Sequence, residues 1–283
     1  MDERFSQFPK DLATRSRSLK LGAAGVPTLL AHPDWQSPAP VMLWMHGRTV
    51  NKELDPGRYL RWIRAGIAAV AIDLPGHGER FDPRLQEATG TLDMLEQALG
   101  DVDQVLDALA RSEWAAFFDF TRVGIGGMSA GGMVTLRRLC DPAPGSLPNG
   151  FAAAAVEGTT GWLEGLYYPE KAGLPRPVQQ PIEHPVDRLA RLDPMRNRQR
   201  MKPLPLLVLH SQADEVVPWA GMSVFIERLK AHYRQQGADP SMIQVVTWTS
   251  TGAPQEHAGF GRLGNDAKNA QVEFLQRALA VKK

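Results

Sequence analysis

Thr121-Arg122-Val123-Gly124-Ile125-Gly126-Gly127-Met128-Ser129-Ala130-Gly131-Gly132-Met133-Val134-Thr135-Leu136 is the stretch whose reading decides the fold. A short run rich in β-branched residues breaks into glycines, presents one serine, and resumes as an apolar segment able to form a helix. Gly127-Met128-Ser129-Ala130-Gly131 fits G-x-S-x-G, the pattern of a tight strand-to-helix turn that lifts a serine hydroxyl above a sheet. That turn forces the serine backbone into a crowded conformation, so a side chain at Gly127 or Gly131 would collide across it. Five residues match such a pattern easily by chance. The reading gains weight only with a strand before it, a helix after it, and an acid and a histidine farther along.

Working outward toward the N-terminus, Val41 to Met45 is a continuous apolar run between Pro40 and His46-Gly47, as expected for a strand buried on both faces of a parallel sheet. A helix is expected over Pro56 to Ala65, a second buried strand over Ile67 to Ile72, and a loop at Leu74-Pro75-Gly76-His77-Gly78. Leu92, Leu95, Leu99, Val102, Leu106 and Leu109 recur at steps of three and four, predicting a long amphipathic helix from Thr91, as its cap, to Arg111. Arg17 to Leu21 and Val26 to Ala31 predict a hairpin at a sheet edge, after a polar lead-in over residues 1 to 16.

Downstream, strands are expected over Phe151 to Val156, Leu204 to His210 and Met242 to Trp248, with helices over Pro218 to Gln235 and Asp266 to Ala280. Strand and helix alternate throughout, which predicts one α/β domain over 1–283, a mostly parallel, doubly wound sheet with helices on both faces. Residues 159–202 break the rhythm with prolines at 169, 175, 177, 181, 185 and 194. An irregular stretch of that length inside a compact domain predicts an inserted lid or cap over a site.

Composition narrows the function. Lys and Arg number 32 against 31 for Asp and Glu, a formal net charge of +1, and no basic block carries interleaved aromatics. Nucleic acid and an anionic membrane surface are therefore not expected as partners. No apolar run approaches the ~20 residues of a membrane span. Met1-Asp2-Glu3-Arg4-Phe5 lacks the apolar core of a secretory signal, so a cytoplasmic setting is expected. The single cysteine, Cys140, is expected as a small packed residue near a helix end.

In an open parallel sheet, functional groups gather beyond the carboxyl ends of the strands. Ser129, Asp214 and His257 each follow one, in the order expected when such a turn carries a nucleophile. A serine hydroxyl needs a base within about 3 Å, a histidine suits that task near neutral pH, and a carboxylate fixes the histidine's tautomer. Ser129 is thus the expected nucleophile, His257 the base and Asp214 the orienting acid. Asp214 has competitors in Glu215, Asp187 and Asp193, but it lies just beyond a buried strand and before Val216-Val217-Pro218. His257 competes with His32, His46, His77, His184, His210 and His232. Of these, His46 and His210 sit at strand ends and are expected as structural hydrogen-bonding residues. The N–H of Ala130, at the start of the helix, is the first expected donor to a developing oxyanion.

Together these residues resemble the α/β-hydrolase family. His46-Gly47-Arg48 after one strand, Asp73 to Arg80 after the next, the serine turn, and the Asp214 and His257 loops carry the resemblance over nearly the whole chain. The pattern looks most like dienelactone-hydrolase-related enzymes and bacterial carboxylesterases, with the prolyl-oligopeptidase catalytic domain a more distant relative. The resemblance implies a second oxyanion donor at the N–H of Arg48, whose bulky side chain is then available to substrate or lid. It implies hydrolysis of a small-molecule ester, with peptide or amide cleavage, or a non-catalytic binding role, as alternatives. Trp162, Tyr167 and Tyr168 are candidates to line an acyl pocket or to anchor their loop.

No cofactor is expected. Asp73 and His77 lack companions at metal-ligand spacing and are expected to shape their loop. Gly124-Ile125-Gly126 is not a dinucleotide fingerprint, because Ser129 stands where a third glycine would.

Overall fold

The computed structural model describes residues 7–174 and 182–281. Eight strands form one sheet: β1 (Ser16–Leu21), β2 (Val26–Ala31), β3 (Ala39–Met45), β4 (Ala68–Ile72), β5 (Phe118–Met128), β6 (Ala153–Glu157), β7 (Leu206–Ser211) and β8 (Ile243–Trp248). Their order is β1-β2-β4-β3-β5-β6-β7-β8. β2 is antiparallel to both neighbours, and every pair from β4 to β8 is parallel. The expected hairpin therefore does end the sheet, with β1 as its outer strand.

Both faces of the sheet are covered, which is why its central strands are apolar without alternation. Val41, Leu43 and Met45 face a core shared with helices Thr91–Ala110, Ala130–Arg138 and Trp219–Gln235. Met42 and Trp44 face the opposite core, shared with helices Pro56–Arg64 and Gly264–Ala278. Thr91 is the first residue of its helix rather than its cap; Gly90 takes that place, and the Thr91 hydroxyl donates to Ala88 O at 2.7 Å.

The order of strands reverses between β3 and β5, since β4 lies beyond β3 on one side and β6 beyond β5 on the other. Crevices at such a reversal are where open α/β sheets hold ligands. Residues 159–174 and 182–202 depart from the irregular stretch expected of them. They form short helices over Leu163–Tyr167, Pro169–Ala172, Val186–Leu192 and Pro194–Asn197. Pro169 and Pro194 each open a helix, where a missing N–H costs nothing, so proline starts structure here instead of breaking it. The prolines at 175, 177 and 181, like residues 1–6 of the lead-in, lie outside the described residues.

Candidate active site

β5 ends at Met128, and Ser129 turns the chain at φ 51°, ψ −115° before the Ala130–Arg138 helix begins. A β-carbon on Gly127 would lie 2.4 Å from the Gly131 carbonyl carbon, and one on Gly131 would lie 2.3 Å from Met45 O. Both glycines are thus required by close backbone approach, as the sequence pattern implied. The Ser129 N–H donates to Glu157 O at 2.8 Å, and its carbonyl accepts from Thr159 Oγ1 at 2.7 Å. With its backbone fixed from both sides, the residue is buried but for 8% of its surface.

The turn after β7 supplies Asp214, whose Oδ1 accepts from the N–H groups of Val216 at 2.9 Å and Val217 at 2.8 Å. Its Oδ2 lies 2.8 Å from His257 Nδ1, and His257 Nε2 lies 2.9 Å from Ser129 Oγ. A proton on Nδ1 held by the carboxylate leaves Nε2 free to accept from the serine hydroxyl. His210 Nε2 donates to Val217 O at 2.9 Å and stands 3.5 Å from the same Asp214 oxygen. Burial pushes the His210 pKa down, so it supports the turn as a neutral ring.

The loop bearing His257 is held by a residue that the sequence reading passed over. Glu256 accepts at one oxygen from Thr251 N at 2.6 Å and Ser211 Oγ at 2.8 Å, and at the other from Gly252 N at 2.7 Å. These bonds, the one to the Thr251 backbone foremost, bring its pKa down to about 2. The carboxylate clasps a turn in which Gln255 and Glu256 take φ 51° and 52°, a left-handed conformation that neither side chain favours. An acid immediately before the candidate histidine was the available signal.

The loop after β3 lies against the serine: a β-carbon on Gly47 would be 3.5 Å from Ser129 Cβ. His46 shapes this loop, donating from Nδ1 to Gly47 O at 2.6 Å and accepting at Nε2 from Leu74 N at 3.0 Å. Burial pushes its pKa down to about 4, which keeps the ring neutral and both bonds intact. Asp73 accepts from Lys52 N at 2.9 Å, Lys52 Nζ at 2.8 Å and Glu79 N at 3.0 Å, so it shapes the loop as expected. The Arg48 guanidinium donates to Thr91 Oγ1 at 2.7 Å and to the Gln86 carbonyl.

A cavity of about 1070 Å³ opens over these groups, lined by Ser129, Ala130, His257, Arg48 and Tyr167 among others. Asp214 stands behind His257, off the lining. Trp162 and Tyr168, expected either to line an acyl pocket or to anchor their loop, lie off the lining. Trp162 packs half-buried against the sheet core, and the Tyr168 hydroxyl is tied to His184 O at 2.8 Å, so both anchor their segment. Arg58 and Glu157 contribute to the lining without having been expected there. Arg58 Nη1 and Nη2 meet the two Glu157 oxygens at 2.6 and 2.8 Å, Gln271 Oε1 adds a 2.6 Å bond, and the guanidinium lies 4.3 Å from the Trp44 ring centroid. A glutamate closing the run Ala153 to Val156 was the only local hint of this pair. Cys140, by contrast, is buried near the end of its helix, and burial pushes its thiol up to about 12.

A mostly parallel sheet with a serine on a strained strand-to-helix turn, and loops of later strands meeting at it, defines an α/β-hydrolase. Within that class the profile of the prolyl oligopeptidase family matches residues 58–281, and the chain belongs to that family. The family that the sequence motifs suggested as a more distant relative is thus the one that encompasses it, and the protein is a serine hydrolase. It is 24% identical over 213 residues to the Bacillus subtilis protein named "Putative esterase YitV", covering 73% of this chain and 80% of that one. It is 26% identical over 204 residues to esterase YjfP of Escherichia coli, covering 69% and 77%. The structure of Pyrococcus horikoshii acylaminoacyl peptidase superposes with a TM-score of 0.68 at 18% identity, over 95% of this chain and 42% of that one. Among the described residues no helix is long and apolar enough to cross a membrane.

Proposed function

We propose that the protein hydrolyses small-molecule carboxylic esters through an acyl-enzyme formed on Ser129, with His257 as base and Asp214 as the residue that orients it. The observation that carries this reading is the unbroken chain of 2.9 and 2.8 Å contacts from Ser129 Oγ through the His257 ring to Asp214. The hydroxyl attacks the ester carbonyl while Nε2 takes its proton. The tetrahedral oxyanion is received by the N–H groups of Arg48 and Ala130. Each such donor contributes about 3 to 4 kcal/mol to the barrier reduction.

Collapse breaks the carbon–oxygen bond to the alcohol, which leaves with the proton from Nε2. Water, activated by the same nitrogen, then attacks the acyl carbon and frees Ser129. Residues 159–174 and 182–202 act as a cap, with Tyr167 on the acyl side of the cavity. The names of the two curated relatives support the ester as the bond cleaved. The family's description and the acylaminoacyl peptidase fold support a second reading, cleavage of an acyl-amino bond.

Turnover of a chromogenic short-chain ester beside an acyl-amino acid amide separates them. The expected result is ester turnover at least about tenfold above the amide, and a loss of at least about 10⁴-fold in Ser129→Ala. Full activity in Ser129→Ala would end the assignment. Preference for the amide would replace the first reading by the second.

A further inference from the structure

Among the described residues, the charged groups on the cavity wall are partnered, with one lacking a carboxylate. Arg58 is bonded to Glu157, and Lys268 Nζ lies 3.0 Å from Asp55 Oδ1. Glu170 has a partner of its own. Among the described residues no carboxylate lies within ion-pair distance of Arg48, whose side-chain acceptors are the neutral Thr91 hydroxyl and Gln86 carbonyl. Burial disfavours its charge, yet a guanidinium keeps its proton in a protein. A cation on a partly desolvated wall, with more N–H donors than the two engaged here, is completed by a carboxylate.

The position of Arg48 says which end of a substrate brings that carboxylate. The alcohol leaves on the side of His257, which must give it a proton, and His257 is in contact with Asp214 and Ser129. The Arg48 side chain runs instead to Thr91 and Gln86, and Tyr167 lines the same cavity as Arg48 and Thr91. A substrate whose carbonyl oxygen sits at the Arg48 N–H therefore extends its acyl chain along the wall that holds the guanidinium.

We infer that Arg48 reads a carboxylate at the far end of the acyl chain, so that the preferred substrates are monoesters of dicarboxylic acids. This inference rests on the assignment of Ser129 as nucleophile. Two bonds fix the Arg48 fork against the first residue of the Thr91–Ala110 helix and the last residue of the short helix Pro83–Gln86, and a fixed fork discriminates a planar carboxylate from a neutral end group better than a mobile lysine does.

Para-nitrophenyl monoesters of succinate, glutarate and adipate, compared with neutral acyl esters of equal chain length, test it. For the best chain length the wild-type kcat/KM favours the acidic ester by roughly tenfold or more, the scale of one charge-assisted bond. In Arg48→Gln that ratio falls to near one, and in Arg48→Lys part of it returns. Arg48 acting only as a loop anchor would lower both esters together and leave the ratio unchanged, and that result overturns the inference, as does a wild-type enzyme without preference. A binding arm separates this failure from failure of the hydrolase reading. Calorimetry on Ser129→Ala with the monomethyl esters of the same three acids is expected to show binding that Arg48→Gln abolishes. Binding that depends on Arg48 without any turnover would leave the carboxylate site standing and remove the esterase. Turnover that depends on Ser129 without Arg48-dependent binding would do the reverse.

Discussion

At Ser129 the chain holds a non-glycine residue at φ 51°, and the strain is carried by contacts on both sides of it, from Glu157 and from Thr159. The serine turn was legible in the sequence because its requirement is local: no side chain larger than hydrogen fits at Gly127 or Gly131. Asp214 and His257 were legible because each follows a recognisable strand, β7 buried throughout and β8 at the sheet edge. Glu256 was not, since its partners Ser211 and Thr251 come together only when β7 and the His257 loop have folded. Its role gives a prediction at this scale. Glu256→Gln removes the ionised acceptor that holds the left-handed turn, so His257 loses its fixed aim at Ser129 Oγ. The expected result is a fall in kcat of roughly tenfold or more with a much smaller change in KM, because small misplacements of a catalytic group are costly. Unchanged kcat in a folded variant would show that the clasp does not position His257. With a pKa of about 2, the clasp's contribution is complete above the ordinary carboxylate range and is lost only as pH falls toward that value.

Among the elements, the Arg58–Glu157 pair joins helix Pro56–Arg64 to the end of β6, and Gln271 brings in helix Gly264–Ala278. All three side chains are buried. Arg58→Met leaves the Glu157 charge without its partner, which destabilises a fold by about 3 to 5 kcal/mol. Removing both charges in Arg58→Met/Glu157→Leu is expected to recover most of that loss, since an apolar pair of similar volume can replace a buried ion pair. Denaturant unfolding of the two variants checks this, and a single variant within about 1 kcal/mol of wild type would contradict it. The pair also explains a limit of reading elements from sequence. The inner strands β3, β4 and β7 declared themselves through apolar runs, but nothing in the strand sequences said that a helix 99 residues away would meet Glu157. The proline-rich segment misled for a related reason: proline forbids helix interiors but favours helix starts, and a sequence does not say which applies until the following residues find something to pack on.

For the molecule as a whole, the buried histidines set the response to acid. His32, His46, His77 and His210 all have pKa values pushed down by burial, His46 to about 4. From pH 6.5 downward the unfolded chain takes up protons at these rings that the native protein does not, so stability falls as pH drops. Burial pushes Asp101, Asp103 and Asp193 up and works in the opposite sense, but only Asp193, at about 6, is moved far. The midpoint of thermal unfolding is therefore expected to be lower at pH 5 than at pH 7, and an equal or higher midpoint at pH 5 would contradict the burial of these rings as neutral groups. Fold class was readable from alternation alone, whereas the strand order, and with it the meeting of the β3 and β5 loops over one cavity, emerged only from the assembled sheet. The central claim is that this cavity activates Ser129. Mass spectrometry after exposure of the folded protein to a fluorophosphonate tests it most directly: the account predicts one adduct per chain, on the peptide bearing Ser129 and absent in His257→Ala over the same interval. A folded wild-type protein that stays unlabelled, or is labelled elsewhere, would contradict it.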